Sequence, residues 1–231
     1  IMTTSTPKFK TDNVIDIFSR QPYSHSKTKK FNRLAPEYDR LEMIYSNESN
    51  PTKLFSIKVL CWGLRSDGKV VGLVPWLDKI VPCTQIQDPL NGRWEGYFDP
   101  KNDEIFYEAP VHKIIELETA FEQYGNHEIF EGVIQEIPDI IGTHAVLSSD
   151  GFKNITLKEV VSWTLLSTGS IECMLIDDSK VSSTPVLPGD KCLYTGSNEK
   201  GFKYFFQHHI ANKIKARDPK ALEAIALLVD T

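Results

Sequence analysis

The segment from Lys58 to Trp76, KVLCWGLRSDGKVVGLVPW, contains two apolar runs separated by the turn Ser66-Asp67-Gly68-Lys69. Asp-Gly accepts the positive φ that a tight hairpin turn requires, and the flanking runs are rich in β-branched and aromatic residues. A two-stranded hairpin is stable in water only when its apolar face is covered. The sequence therefore predicts an antiparallel sheet with other elements packed against it.

The composition, 41% hydrophobic and 25% charged over 231 residues, is typical of one large globular domain or two small ones. No apolar run approaches the roughly 18 residues that a membrane span needs, and the N-terminal residues lack the apolar core of a signal peptide. We therefore expect a cytoplasmic protein that contacts no membrane. The cysteines have no CxxC spacing, which predicts buried reduced thiols and neither a metal nor a cofactor: Cys61, Cys83, Cys173 and Cys192.

Residues 1–34 are predicted to form a flexible basic N-terminal arm, because Pro22 to Lys30 is polar and basic without apolar periodicity. Residues 35–231 are assigned to a single α+β globular domain. A sub-boundary is considered near residues 126–142, where glycine and proline interrupt two short apolar pieces. The arm makes weak nucleic-acid binding one alternative function. The basic excess outside residues 77–145 is, however, mild and spread along the chain rather than gathered in a strong stripe or patch, which disfavours nucleic acid as a partner.

Several further segments predict strands. Residues 94–107 resemble a second hairpin that turns at Asp99-Pro100-Lys101-Asn102-Asp103. Residues 144–147, 171–177 and 191–194 are short apolar runs with the same character. Residues 36–45 fit either period, and Pro36 at the first turn favours a helix.

Three segments predict helices, near residues 111–124, 157–168 and 199–229. The first lies between Pro110 and Gly125 and has one apolar face. The second starts at a capping box, Thr156 with Glu159, and repeats apolar residues every four positions: Leu157, Val161 and Leu165. The third repeats them with the same spacing: Phe202, Phe206, Ile210 and Ile214.

The expected fold class is α+β, with an antiparallel sheet built from hairpins and packed against three to four helices concentrated in the C-terminal half. Ser149-Asp150-Gly151 resembles the turn of the first hairpin. Because a helix is predicted to follow it, we do not expect this likeness to mark a repeat.

One candidate ligand site lies in residues 88–99, where charged side chains surround two aromatic ones. An arginine with carboxylates and aromatics can line a pocket or supply the acid and base of a hydrolase. The same aromatics can instead anchor a long connection to the core. The candidate ligand-binding residues are Asp88, Arg93, Trp94, Glu95 and Tyr97.

A second candidate site is an anion-binding turn that is predicted to enter the third helix. Free backbone N–H groups and the helix dipole favour an anion at such a place. The Walker A pattern fails, because Phe202 and Lys203 occupy the positions that need Lys and Ser/Thr. The turn can equally be a simple helix entry, and its candidate residues are Gly196, Ser197, Lys200, Gly201 and Lys203.

No motif in the sequence names a reaction. The acidic helix at 111–125 lacks the glutamates of a Nudix box, and His208-His209 are adjacent rather than one turn apart. The preferred hypothesis is a non-enzymatic binding module for a partner protein or a small ligand, acting alone or as a homo-oligomer. The enzymatic alternative is a metal-independent hydrolase or transferase with an anionic substrate, which would use Asp88, Arg93 and Glu95.

Overall fold

The computed structural model describes residues 30–47, 50–76, 78–88, 92–148, 153–176, 193–195 and 201–206. These residues form antiparallel sheets and one α-helix, so the expectation of three to four helices was wrong. In chain order the elements are β1 (Phe31–Pro36), β2 (Glu42–Asn47), β3 (Asn50–Lys58), β4 (Cys61–Arg65), β5 (Val70–Trp76), β6 (Lys79–Pro82), a 3₁₀ turn (Cys83–Gln85), β7 (Gln87–Asp88), β8 (Gly92–Asp99), β9 (Glu104–Phe106), α1 (Val111–Tyr124), β10 (Val133–Pro138), β11 (His144–Leu147), β12 (Thr156–Leu166), β13 (Ile171–Ile176), β14 (Leu193–Thr195) and β15 (Phe202–Phe206).

The hairpins and the first helix are confirmed. β4 and β5 form the hairpin expected between residues 58 and 76, and β8 pairs with β9. The predicted strands at 144–147 and 171–177 correspond to β11 and β13. Helix α1 begins after Pro110 and ends at Gly125, as the flanking proline and glycine indicated.

The second predicted helix was wrong, and so was the start of the third. Residues 156–166 form β12, and Phe202–Phe206 form β15, while residues 196–200 and 207–231 lie outside the described part of the chain. Residues four apart share a face in a helix and also in a strand, so the spacing of Leu157, Val161 and Leu165 fits both. Residues 42–47, in the ambiguous segment, form β2 rather than a helix.

The strands form three sheets. Sheet A has the order β1-β4-β5-β6, and sheet B has the order β3-β2-β8, with β7 and β9 both paired to the outer edge of β8. Sheet C has the order β14-β13-β12-β11-β15, and β10 pairs with β12 next to β11. Residues 31–34, which the sequence analysis placed in the arm, lie in β1, and residues 1–29 are outside the described residues.

Sheet A is buried on both faces. On one face, Trp62, Leu64 and Val74 pack with sheet B and α1. On the other face, Cys61 and Leu73 pack with sheet C. This two-sided burial explains why β4 and β5 are almost continuously apolar rather than alternating between apolar and polar residues.

The chain folds as two structurally equivalent units, residues 31–99 and 133–206. In the first unit β1 pairs with β4, and β2 pairs with β3. The next strands outward are β5, which pairs with β4, and β8, which pairs with β2. In the second unit β10 and β11 pair with successive parts of β12. The next strands outward are β13, which pairs with β12, and β15, which pairs with β11. β3 and β4 are separated by two residues and together correspond to the single strand β12. Even the register shifts fall at equivalent positions, in β1 and β10 and again in β2 and β11.

Each unit contains the same carboxylate-to-tryptophan hydrogen bond. Glu37 follows β1 and accepts the indole N–H of Trp62, and Asp139 follows β10 and accepts that of Trp163 at 2.9 Å. Both indoles are fully buried, so each carboxylate satisfies a donor that water does not reach. The second oxygen of each carboxylate accepts N–H groups of its own loop, from Asp39 and Leu41 in the first unit and from Gly142 and Thr143 in the second.

The four-residue turn between β4 and β5 also recurs between β12 and β13. The Arg65 N–H donates to Lys69 O and the Gly68 N–H to Arg65 O. The second unit repeats both bonds from Leu166 to Ser170 O and from Gly169 to Leu166 O. The sequence pattern W-x-L-x-S-x-G occurs at both places, starting at Trp62 and at Trp163. The counterpart of Ser66-Asp67-Gly68 is therefore Ser167-Thr168-Gly169 rather than the Ser149-Asp150-Gly151 segment considered in the sequence analysis.

The buried aromatic residues match as well. In the first unit the Tyr97 ring lies 4.7 Å from Trp62 and 5.5 Å from Trp94, centroid to centroid. In the second unit Phe205 lies 5.1 Å from Trp163 and 5.0 Å from Phe202. Each unit thus places three aromatic side chains at the same register positions of its core.

The pair Gly72 and Tyr97 is equivalent to the pair Cys173 and Phe205. One unit combines the larger aromatic residue with a glycine, and the other combines the smaller aromatic residue with a cysteine. Tyr97 has a hydroxyl that accepts the Gly72 N–H at 2.9 Å. A Cβ at residue 72 would stand only 2.7 Å from Tyr97 Cε1, so glycine makes room for the tyrosine. The second unit has no hydroxyl on Phe205, and a cysteine side chain occupies the position of the glycine.

The two units pack against each other through faces that are not equivalent. The outer face of the first unit, which includes Leu34, Cys61 and Val71, packs on the core of the second unit. The equivalent outer positions of the second unit are polar: Glu136, Ser162 and Glu172.

Gly72→Ala and Tyr97→Phe should each lower the free energy of unfolding by about 1–3 kcal/mol. The alanine Cβ clashes with the Tyr97 ring, whereas the phenylalanine removes the acceptor of the buried Gly72 N–H. The double variant should lose less than the sum, because a phenylalanine without the hydrogen bond can move away from the new Cβ, as the pair Cys173 and Phe205 illustrates. Chemical denaturation of the four proteins measures this coupling. Strict additivity would contradict the proposed compensation.

Glu37→Ala and Asp139→Ala should each lower the free energy of unfolding by about 2 kcal/mol or more, because each leaves a buried indole N–H and loop N–H groups without an acceptor. Asp99→Ala is the matched control, since Asp99 also accepts turn N–H groups but does so at the surface. Denaturation curves should show a clearly smaller effect for this control. Equal losses in all three variants would mean that burial of the donors does not set the cost.

Candidate functional site

The candidate residues of strand β8 lie on two different faces. A β-bulge at Glu95 and Gly96 shifts the register against β2, so that Trp94 and Tyr97 both face the core. Gly96 has φ of 142°, and a Cβ there would lie 2.9 Å from Ile105 Cγ2. The bulge thus separates Arg93 and Glu95 from the two aromatic residues, and the candidates do not converge on one pocket.

Tyr97 is a core residue. Its side chain is buried between Trp62, Trp94 and Phe106, and its hydroxyl accepts the Gly72 N–H. Desolvation raises the pKa of Tyr97 well above its ordinary value, so the phenol stays neutral. A ligand at the surface would not reach it.

Arg93 and Glu95 form a polar cluster with Ser46 on the outer side of sheet B. Glu95 Oε1 accepts the Ser46 hydroxyl at 2.6 Å and two N–H groups of Arg93 at 2.9 and 3.1 Å. The hydrogen bond from Ser46, followed by that from Arg93, lowers the pKa of Glu95. A carboxylate held ionised in this way is poorly suited to act as a general acid. Asp88 lies in β7, and its side chain is outside the described residues.

Trp94 stands at the border between core and surface. Its ring makes an edge contact with Tyr107, which is largely exposed, at a centroid distance of 6.2 Å. The indole N–H is buried and has no acceptor among the described residues.

The predicted anion-binding turn has no helix to enter. Gly201 precedes strand β15, and its carbonyl accepts the Ser148 N–H at 2.7 Å. Lys203 lies within β15, at the bulge equivalent to Glu95. The dipole argument needed a helix beginning near residue 202 and does not apply to a strand. Gly196, Ser197 and Lys200 are outside the described residues.

The structure forms a pocket that the sequence analysis did not identify, at the C-terminal end of α1. This α1 pocket has a volume of about 420 Å³ and lies between α1, β1 and β10. Its lining combines one cation and one carboxylate with amide, imidazole and apolar groups: Arg33, Gln123, Tyr124, His127, Ile129, Ile134, Gln135 and Glu136. Three elements distant in sequence contribute, so no local motif signalled it.

Arg33 is the unusual member of the α1 pocket. The residue is only 7% exposed, and one terminal N–H donates to Gly125 O at 3.0 Å. The guanidinium carbon lies 5.4 Å from the centre of the Tyr124 ring. The Nε–H is buried without an acceptor, and no described carboxylate lies within 4.0 Å of the guanidinium. Desolvation lowers the pKa of Arg33, yet an arginine remains charged at neutral pH.

The rim of the α1 pocket is apolar and held in place by hydrogen bonds. Ile129 and Tyr124, which line the pocket, are 68% and 52% exposed, and Phe130, which follows Ile129 in the chain without lining the pocket, is 64% exposed. Backbone bonds from Ile129 N to Val133 O and from Val133 N to Phe130 O close the turn that carries them. The bond from Ser167 N to Gly132 O ties this turn to the second unit. We call Tyr124, Ile129 and Phe130 the apolar rim.

A second cavity of about 540 Å³ opens between sheets A and C. Cys173 and Phe205 contribute to its lining, with Lys30 and Lys79 also present. Cys173 is buried, as is Cys61, whose pKa desolvation raises strongly, so Cys61 at least is not a reactive thiol.

Comparison with known protein families, curated proteins and solved structures finds no match to this chain. Among the described residues no cluster of His, Cys, Asp or Glu side chains has the geometry to hold a metal ion. Within the same residues, no helix has the length and apolar character required to cross a membrane. The site must therefore be judged on its own geometry.

Glu95→Gln should lower the free energy of unfolding slightly at neutral pH, by less than about 1 kcal/mol, and have little effect near pH 3. Because the folded pKa of Glu95 is lowered, its stabilisation is complete above the unfolded pKa of about 4.3 and is lost as the pH falls through the folded value. Thermal unfolding at both pH values measures this, with Glu104→Gln on β9 as the control. An equal effect of Glu95→Gln at both pH values would contradict the assignment.

Proposed function

We propose that this chain is a non-enzymatic binding module that recognises a segment of a partner protein at the α1 pocket and its apolar rim. The observation that carries the proposal is the exposure of Ile129 and Phe130 on a turn whose backbone bonds fix their position. Keeping such side chains in water costs roughly 25 cal/mol for each Å² of apolar area. Exposed apolar groups that surround a pocket are typical of a protein-binding surface.

The geometry supports binding more than catalysis. Of the residues assigned to the enzymatic alternative, Glu95 is held ionised by the bonds that its Oε1 accepts from Ser46 and Arg93, and the Asp88 side chain lies outside the described residues. The arm residues proposed for nucleic acid lose one member, because Arg33 is buried in the α1 pocket. The cytoplasmic location is also part of the proposal, and the reduced thiols of Cys61 and Cys83 support a reducing compartment.

Selection of peptides from a displayed random library tests the function. Peptides enriched on the wild-type chain should carry apolar anchors and should lose most of their affinity for the double variant Ile129→Ser with Phe130→Ser. Val111→Ser with Ile115→Ser is the matched control, because these residues are equally exposed on α1 but lie outside the α1 pocket. The control variant should bind the selected peptides as the wild type does.

Two results would contradict the proposal. One is enrichment of peptides that bind the wild type and the rim variant equally well. The other is a homodimer in sedimentation experiments that the rim substitutions dissociate, because the occupant would then be a second copy of the chain. Circular dichroism of every variant verifies that the fold is retained.

A further inference from the structure

We propose that Arg33 forms a carboxylate-binding subsite at the base of the α1 pocket, which receives an Asp or Glu side chain of the partner segment. This inference rests on the proposed function and adds the chemistry of the recognised residue. A buried charge is normally paired, since an unpaired one bears the full cost of desolvation. Arg33 is more than nine-tenths buried and has no carboxylate partner among the described residues.

A role limited to capping α1 accounts for only part of this arrangement. The bond to Gly125 O satisfies one carbonyl at the helix C-terminus, where a cation is favourable. A guanidinium has five N–H donors in a planar fork that matches a carboxylate, and among the described residues only Gly125 O accepts a hydrogen bond from Arg33. Because the Nε–H is fully buried, a carboxylate would bind the terminal N–H groups. Tyr124 lies against the guanidinium, so the remaining donors are held in a fixed orientation.

The internal repeat supplies an independent comparison. Arg33 pairs with Leu64 across the sheet, and its equivalent Gln135 pairs with Leu165. The Gln135 amide is satisfied inside the protein, because it accepts the Leu34 N–H at 2.9 Å and donates to Leu34 O at 2.7 Å. The same strand position is therefore filled without a charge in the second unit. The cation in the first unit is not a requirement of the fold.

Among the described carboxylates none forms an ion pair with Arg33, although Glu136 lines the same pocket. Glu136 accepts the Ser162 hydroxyl, and Glu128 accepts the Gly132 N–H at 2.9 Å. The imidazole Nδ1 of His127 bonds to the carbonyl of Tyr124, so it acts as a donor there. Because the apolar rim lies beside this cation, the ligand that fits is a peptide segment with one acidic residue among apolar residues.

The test uses phenylacetate as the probe and phenylacetamide as its uncharged control. The side-chain Nε–H signal of Arg33 in a ¹H–¹⁵N spectrum should shift saturably with phenylacetate, and phenylacetamide should bind about tenfold more weakly or worse. Arg33→Gln should abolish the difference between the two probes. Arg65→Lys is the matched control, because Arg65 is already paired with Asp67, and it should leave the titration unchanged.

The comparison of the two probes on the wild-type protein stands even if Arg33→Gln fails to fold. Equal binding of both probes, or no saturable shift with phenylacetate, would overturn the subsite. The proposed function would still stand if neutral peptides are selected. Enriched peptides should in addition carry Asp or Glu at a fixed position, and replacement by Asn or Gln should weaken them about tenfold or more. If phenylacetate binds but no peptide is selected, the proposal that a partner protein occupies the pocket would be overturned.

Discussion

The burial of sheet A on both faces is the constraint on which the rest of the structure depends. Trp62 and Val74 belong to the core shared with sheet B, while Cys61 and Leu73 belong to the core shared with sheet C. One hairpin therefore contributes to two hydrophobic cores, and neither unit can bury its apolar surface without it. This is the arrangement expected of stacked repeats, in which each interface completes a unit that is incomplete alone.

The repeat shows which features the backbone requires and which are free to differ. The carboxylates of Glu37 and Asp139 recur because each holds a buried indole N–H and the loop that follows it. Gly72 and Cys173 differ because their aromatic partners differ by one hydroxyl. Residues that recur with the same bonds serve the fold, whereas a charged residue without an equivalent, such as Arg33, needs another explanation.

Local signals in the sequence predicted the hairpin turns and α1, because Asp67-Gly68, Pro110 and Gly125 act on their immediate neighbours. They failed for β12, since apolar residues four apart share a face in a strand as in a helix. The β-branched residues of that segment and the second W-x-L-x-S-x-G pattern were the signals that could have identified it. The α1 pocket was not predictable, because Arg33 and Gln135 meet only through tertiary packing.

The position of the α1 pocket follows from the way the units are joined. α1 lies in the connection between the two units and packs on β1 and β4 of the first unit, while β10 of the second unit packs on β1 and shares the pocket lining with α1. Tertiary contacts from both units fix its walls, and the Ser167 N–H of the second unit holds the turn that carries the apolar rim. A junction between repeats has no counterpart within either unit, so its residues are released from the constraints that the repeated cores impose. Such a junction is where a new binding surface can form without disturbing the bonds that hold each core together.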